Sequence, residues 1–294
     1  MSPLNELPND VKRAVVTLKI VIDKSQALIS GQPVPGGSAL LFALRHSAPR
    51  ALTTAGAIYL LLSGGLQFGI DAVTLSRSLW ELAVTLEYMC GCPRHCEELA
   101  IRFLAQNLSA RRAQVGWLQA DADATAAAFQ KEQSIRGDEC VLITQLVRLL
   151  MTDGLARRDA LEAAVRRMRS EWRYKPTWSG LTIRQMAHIV KRPGCNRAWE
   201  YERAYPFLSE ASHVSSGSLV ALAAALGSAD EFPPFQGRDP ARLAASTAVI
   251  WLLQILDVVG EALGVNWRPT LEALSEAAQD QWRQAGIVQP LPAQ

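Results

Sequence analysis

Apolar residues along the 294-residue chain recur mainly three and four positions apart, and strand-like alternation is not sustained anywhere. Glycine and proline fall between the periodic segments rather than at hairpin spacing. The pattern predicts an all-α protein, a multi-helix bundle. A first helix is expected from about Pro8, a residue suited to a first turn, to about Ile29, where Gly31 and Pro33-Val34-Pro35-Gly36-Gly37 stop it. Helices near 38–47 and 50–63 follow. The clearest helix covers Asp71 to Met89, with Leu75, Leu79, Leu82, Leu86 and Met89 as its apolar stripe and Gly91 and Pro93 beyond its end. Further helices are expected near 95–120, 123–150 and 155–173. Thr182 followed by Gln185 reads as a capping box that opens a short helix, and after Gly194 another helix carries Tyr201 to Ser212. Asp239 and Pro240 suit the start of a late core helix in which the fourteen residues Leu243 to Leu256 carry no charge. An amphipathic helix from about Pro269 to Gln284 closes the series. No internal repeat or low-complexity linker is evident, so residues 1–294 read as one helical domain, with 228–237 the best place for a boundary.

Composition adds three expectations. With 49% hydrophobic and 20% charged residues, the chain has the make-up of a packed protein rather than a disordered one. Ala51 to Ile70 is twenty residues without charge, long enough to cross a bilayer, but Thr53, Thr54, Ser63 and Gln67 are polar and Gly64-Gly65 interrupts it. A core helix is expected there, and no membrane association. Five cysteines, an odd number in a chain too large to need disulfides, point to free thiols in a reducing compartment. Met1 to Gly31 is too charged for a secretory signal, and the cytoplasm is the expected location.

Four groups of residues carry candidate chemistry. Thr74, Arg77, Ser78, Glu81 and Thr85 form a polar stripe beside the apolar one on the 71–89 helix. A solvated face is the simplest reading, but if that helix is central, Arg77 and Glu81 need each other or a ligand. Tyr201, Tyr205, Ser209 and His213 are spaced by four and share a face if the helix survives Pro206; histidine is the natural proton shuttle among them. Charge is the third feature. The formal net charge is +2, yet Arg157 to Arg203 contains twelve Lys or Arg against five Asp or Glu. Trp172, Tyr174, Trp178 and Trp199 are interleaved there, a mixture suited to single-stranded nucleic acid as well as to a solvated basic helix. Cys90, Cys92, His95 and Cys96 cluster without the paired spacing of a zinc site, so no metal is expected, and no motif calls for a cofactor.

Three pieces, Leu75-Ser76-Arg77-Ser78-Leu79-Trp80-Glu81-Leu82, Trp178 through Ala187, and Tyr205 through Ser209 to His213, occur in this order across about 140 residues. On them the chain resembles a bacterial all-helical family known only as a domain of unknown function. That family is distantly similar to the HEPN helical-bundle nucleases, which implies metal-independent RNA cleavage by an arginine and a histidine, commonly across a homodimer. The nuclease motif has four to six residues between the two. His46, His95, His188 and His213 all depart from it, Arg203 and His213 being separated by nine residues.

The expectation is therefore a pocket in which His213 is the acid or base, Arg77 stabilises anionic charge and Glu81 orients one of them, with Tyr205 and Ser209 binding the ligand. The alternative is a non-catalytic module that binds nucleic acid or a protein partner through the basic 157–203 region, with Arg166, Arg167, Arg169 and Arg173 as its contacts.

Overall fold

A computed structural model describes residues 3–30, 38–92, 94–104, 178–211 and 238–285. They contain eight labelled α-helices and no β-strand: α1 (Asn9–Ile29), α2 (Ala39–Gly64), α3 (Gly69–Cys90), α4 (Ile183–Ile189), α5 (Arg197–Arg203), α6 (Tyr205–Ala211), α7 (Arg238–Leu263) and α8 (Arg268–Gln284). The fold is all-α. The expected helices at 123–150 and 155–173, most of that at 95–120 and the boundary at 228–237 lie outside the described residues.

The chain divides into two compact units, one of Met1–Pro33, Arg45–Gly91 and Ile183–Gln294, the other of Val34–Leu44 and Cys92–Thr182. In the second unit, Glu97 closes the N-terminus of α2. Its carboxylate accepts from the backbone N–H of Ala39 at 2.6 Å and of Leu40 at 3.1 Å, and from the Ser38 hydroxyl at 2.7 Å. Those are donors that the first turn of a helix leaves unmet.

The first unit is built on α3 and α7. In α7, the charge-free run expected from sequence buries Ala244, Ala245, Ala248, Val249, Trp251, Leu252, Ile255 and Leu256. By length and composition α7 is the one helix among the described residues that could span a membrane, yet 78% of its most apolar stretch is packed inside the protein. α3 crosses it so closely that a Cβ on Gly69 would stand 3.0 Å from the Ala241 backbone nitrogen, and the buried Ser76 hydroxyl donates to the Ala244 carbonyl at 3.1 Å. α7 ends where Gly264 takes φ +69°, a conformation glycine adopts without steric cost. α1 packs on α7, α8 packs on both, and α4 and α6 pack on α3.

Two boundaries differ from expectation. Instead of separate helices at 38–47 and 50–63, α2 runs through Pro49 without a break. Proline inside a helix costs roughly 3 kcal/mol. Here Ala48, Ala51, Ala55, Ile58 and Leu62 are all buried in one helical register, and that packing offsets the lost hydrogen bond. Conversely, the expected helix from Tyr201 to Ser212 is divided at Ala204 into α5 and α6. Pro206 has no N–H for a continuous ladder, but it is well accommodated in the first turn of a new helix. On α3 the buried face is also rotated from the leucine stripe: Leu79, Leu86 and Met89 are buried, Leu75 and Leu82 only partly so, and Ala72, Ser76, Trp80, Ala83 and Glu87 complete the core-facing side.

The short helices are fixed to this frame by a buried polar cluster. Arg197 at the start of α5 is 1% exposed. Its Nε and Nη2 donate to the two carboxylate oxygens of Glu87 on α3, both at 2.7 Å. Nη1 donates to Glu200 at 2.6 Å, and Nη2 also donates to Gln254 of α7 at 2.8 Å. Glu200 accepts in addition from the Trp80 indole at 2.6 Å. Burial opposes the guanidinium charge, but Glu87 and Glu200 outweigh it and raise the Arg197 pKa far above its usual value. Such a cluster holds position rather than adding large net stability, and removing one member leaves the others buried and uncompensated. Arg197→Met is expected to lower the unfolding free energy in urea by about 3–5 kcal/mol. A loss below about 1 kcal/mol, the range of surface pairs, would contradict the structural role.

Candidate functional site

One turn of α3 presents Arg77 and Glu81, and one turn of α6 presents Tyr205 and Ser209. Packing of α6 on α3 brings all four into one cluster. Arg77 Nε donates to Glu81 Oε1 at 2.8 Å, Nη2 to the Tyr205 oxygen at 2.8 Å, and Nη1 to the Ser209 oxygen at a longer 3.4 Å. The Tyr205 hydroxyl in turn donates to Glu81 Oε1 at 2.9 Å. The guanidinium is thereby held at several points while its side chain stays 23% exposed, against 9% for Tyr205 as a whole.

The wall behind the cluster is aromatic. The Tyr205 ring lies 5.0 Å from that of Trp80 and stacks on Tyr201 at 4.6 Å, and the Arg77 guanidinium carbon lies 4.9 Å from the Tyr205 ring centre. Because Trp80 is hydrogen-bonded to Glu200, the ring against which Tyr205 rests is itself fixed by the Arg197 cluster.

Burial works against the charge of Arg77, but the carboxylate of Glu81 and the Tyr205 oxygen more than compensate, so its pKa is raised and it is a permanent cation. Burial and then the Glu81 carboxylate push the Tyr205 phenol up to about 12, with Arg77 opposing. At neutral pH Tyr205 is a neutral hydrogen-bond donor and not a base. Among the described residues the cluster thus offers charge and oriented donors, the means to bind an oxyanion.

Other predicted residues fall elsewhere. His213, Arg166, Arg167, Arg169 and Arg173 lie outside the described residues. In the described part of the basic region, Arg184 pairs with Glu202, Arg192 with Asp257 and Glu261, and Arg197 with Glu87 and Glu200. Two of these arginines, Arg192 and Arg197, are thus met by carboxylates distant in sequence. Trp178 is buried, with Phe103 edge-on to it at 5.5 Å, whereas Trp199 is 36% exposed. No group of three or more His, Cys, Asp or Glu among the described residues is placed to hold a metal. A shallow hollow of about 420 Å³ follows the loop before α5, lined by Lys191, Arg192, Cys195 and Arg197 among others. Burial pushes the Cys195 thiol up to about 11, so it is protonated and unreactive at neutral pH.

Sequence reasoning missed the Arg197, Glu87, Glu200 and Trp80 cluster. The signal was present in Glu87, the only charged residue between Glu81 and Arg94, which falls one turn after the apolar Ala83 and Val84. A carboxylate in that position needs a buried cation.

Residues 41–225, more than half of the chain, match the model of a family described as one of unknown function, DUF5677. The chain belongs to DUF5677. The DUF5677 region takes in all but the first two residues of α2, and α3 to α6, and with them Arg77, Glu81, Tyr205, Ser209 and the sequence position of His213, whereas α7 and α8 follow it. No curated protein and no solved structure gives a significant match.

An ordinary tyrosine ionises near 10. Ultraviolet titration of the folded protein should therefore show one phenol that ionises only near pH 12 and is missing from Tyr205→Phe. Since the folded state keeps this proton to higher pH than the unfolded chain, its contribution to stability is full below about pH 10 and is lost as pH rises toward about 12. Identical titration curves for the two proteins would contradict the cluster geometry.

Proposed function

We propose that this DUF5677 protein binds RNA at the Arg77 cluster and cleaves it without a metal ion. The observation that carries the reading is a permanent guanidinium, oriented by Glu81 and Tyr205 and still partly open, on an aromatic wall. Phosphodiesters are oxyanions, and a pre-oriented arginine is the donor best matched to them. The sequence's resemblance to a family distantly similar to the HEPN nucleases points to the same substrate, with the arginine-to-histidine spacing of the nuclease motif not kept.

In the proposed reaction the RNA 2′-oxygen attacks the neighbouring phosphorus, its proton passing to His213, while the bond from phosphorus to the 5′-oxygen breaks and that oxygen takes a proton from water. The products are a 2′,3′-cyclic phosphate and a 5′-hydroxyl. Arg77 stabilises the charge that builds on the phosphoryl oxygens, Glu81 holds Arg77, and Tyr205 and Ser209 bind the ligand. His213 enters through its position four residues after Ser209. The non-catalytic alternative rests on Arg166, Arg167, Arg169 and Arg173, because Arg192 and Arg197 of the basic region are already held by acidic partners.

Incubation of a mixed RNA pool with purified protein and chelator is expected to yield cyclic-phosphate ends. His213→Ala should slow the reaction by about 10²–10⁴-fold, the usual worth of a general acid or base. Arg77→Lys, which keeps the charge but loses the fork, should slow it by roughly tenfold or more. Salt-sensitive RNA binding with no cleavage by the wild type would replace the nuclease reading with the binding module.

A further inference from the structure

The aromatic wall extends past the Arg77 cluster and ends on a second arginine. Tyr201 stacks on Tyr205 with 4.6 Å between ring centres and 19° between planes, and the guanidinium carbon of Arg184, from α4, lies 6.0 Å from the Tyr201 ring centre. Arg77 occupies the corresponding place on Tyr205 at 4.9 Å. A guanidinium thus stands against each ring of one pair of stacked tyrosines, on residues that four separate helices contribute.

Arg184 differs from Arg192 and Arg197 in how firmly it is held. Its side chain is 61% exposed, and its Nε and Nη2 both donate to a single oxygen of Glu202, at 3.2 and 3.0 Å. His188 Nε2 meets that oxygen at 3.2 Å as well. An exposed pair of this kind is screened by water and holds its partners only weakly. It aims Arg184 without committing it, and a phosphate can take the place of Glu202. One phosphate would need only one of the two cations. A row of arginine, tyrosine, tyrosine and arginine suits a polymer with repeated phosphates.

We propose that Arg184 is a second RNA subsite, taking a further phosphate of the strand held at Arg77, with Tyr201 as the residue that positions it. The inference rests on the reading of Arg77 as a phosphodiester site, and it adds a direction to that site: the strand runs from α3 along the tyrosine pair to α4.

The test is fluorescence anisotropy on the full chain with 2′-O-methyl RNA, which has no 2′-hydroxyl to attack. Two probes are used, a dinucleotide with a single phosphodiester and a longer single strand. Arg184→Gln is expected to leave dinucleotide binding unchanged and to weaken the longer strand about three- to tenfold at moderate salt. It should also make the slope of log affinity against log salt shallower by about 0.7, the value of one phosphate contact on a single strand. Tyr201→Leu should weaken the longer strand in the same way, and Tyr201→Phe, which keeps the ring, should not. If Arg77→Lys weakens both probes while Arg184→Gln leaves affinity and slope at wild-type values, the second subsite is wrong and the Arg77 reading stands. If neither probe binds the wild type, or Arg77→Lys changes nothing, the Arg77 reading fails and takes this inference with it.

Discussion

A guanidinium and two carboxylates can be buried in an apolar core only if each finds partners, and in this protein that requirement fixes three helices at once. Arg197 on α5 is met from two edges by Glu87 of α3, by Glu200 one turn along its own helix, and by Gln254 of α7. α5 has seven residues, too few to be stable as an isolated helix, so its position is set by what its first residue reaches. Glu200 passes the constraint on to Trp80, and the Trp80 ring sets where Tyr205 rests. The orientation of Arg77 is therefore a consequence of a charge buried on the next turns of the same helix.

α3 is consequently two-sided. Ser76, Trp80, Ala83 and Glu87 face the core and the buried arginine, while Arg77 and Glu81, each one residue further along, face α6 and remain partly open. Both pairs join a cation to a carboxylate, yet they do different work. The Arg197 pair is sealed and acts only as a fastener. The Arg77 pair keeps a route to solvent, and its aromatic backing lowers the local polarity enough to strengthen any anion contact.

Much of this was legible in sequence where the signal is local. Helical periodicity, the capping residues before α4 and the charge-free run of α7 are properties of a few consecutive residues, and each located its helix. The two polar stripes, Arg77 with Glu81 and Tyr205 with Ser209, were legible for the same reason. What could not be read was set by tertiary packing. Pro49 ended a helix on paper because its local cost is visible and the compensating burial of Ala48 to Leu62 is not. Pro206 did break the ladder, because it has no N–H to continue it and sits in the first turn of α6 instead. The basic segment overstated its free charge because Asp257, Glu261 and Glu87, which neutralise part of it, lie 65, 69 and 110 residues along the chain from the arginines they meet, on other elements.

Arginine side-chain resonances offer the most direct test of Arg77 as the ligand-facing cation. In protein labelled with ¹⁵N-arginine, the Nε–H signals of Arg77 and Arg197 can be assigned by Arg77→Lys and by Arg197→Lys, and then followed as 2′-O-methyl RNA is added. A shift of the Arg77 signal that saturates with binding, while the sealed Arg197 signal stays in place, is the expected result. Saturable RNA binding that leaves the Arg77 signal unmoved would contradict it.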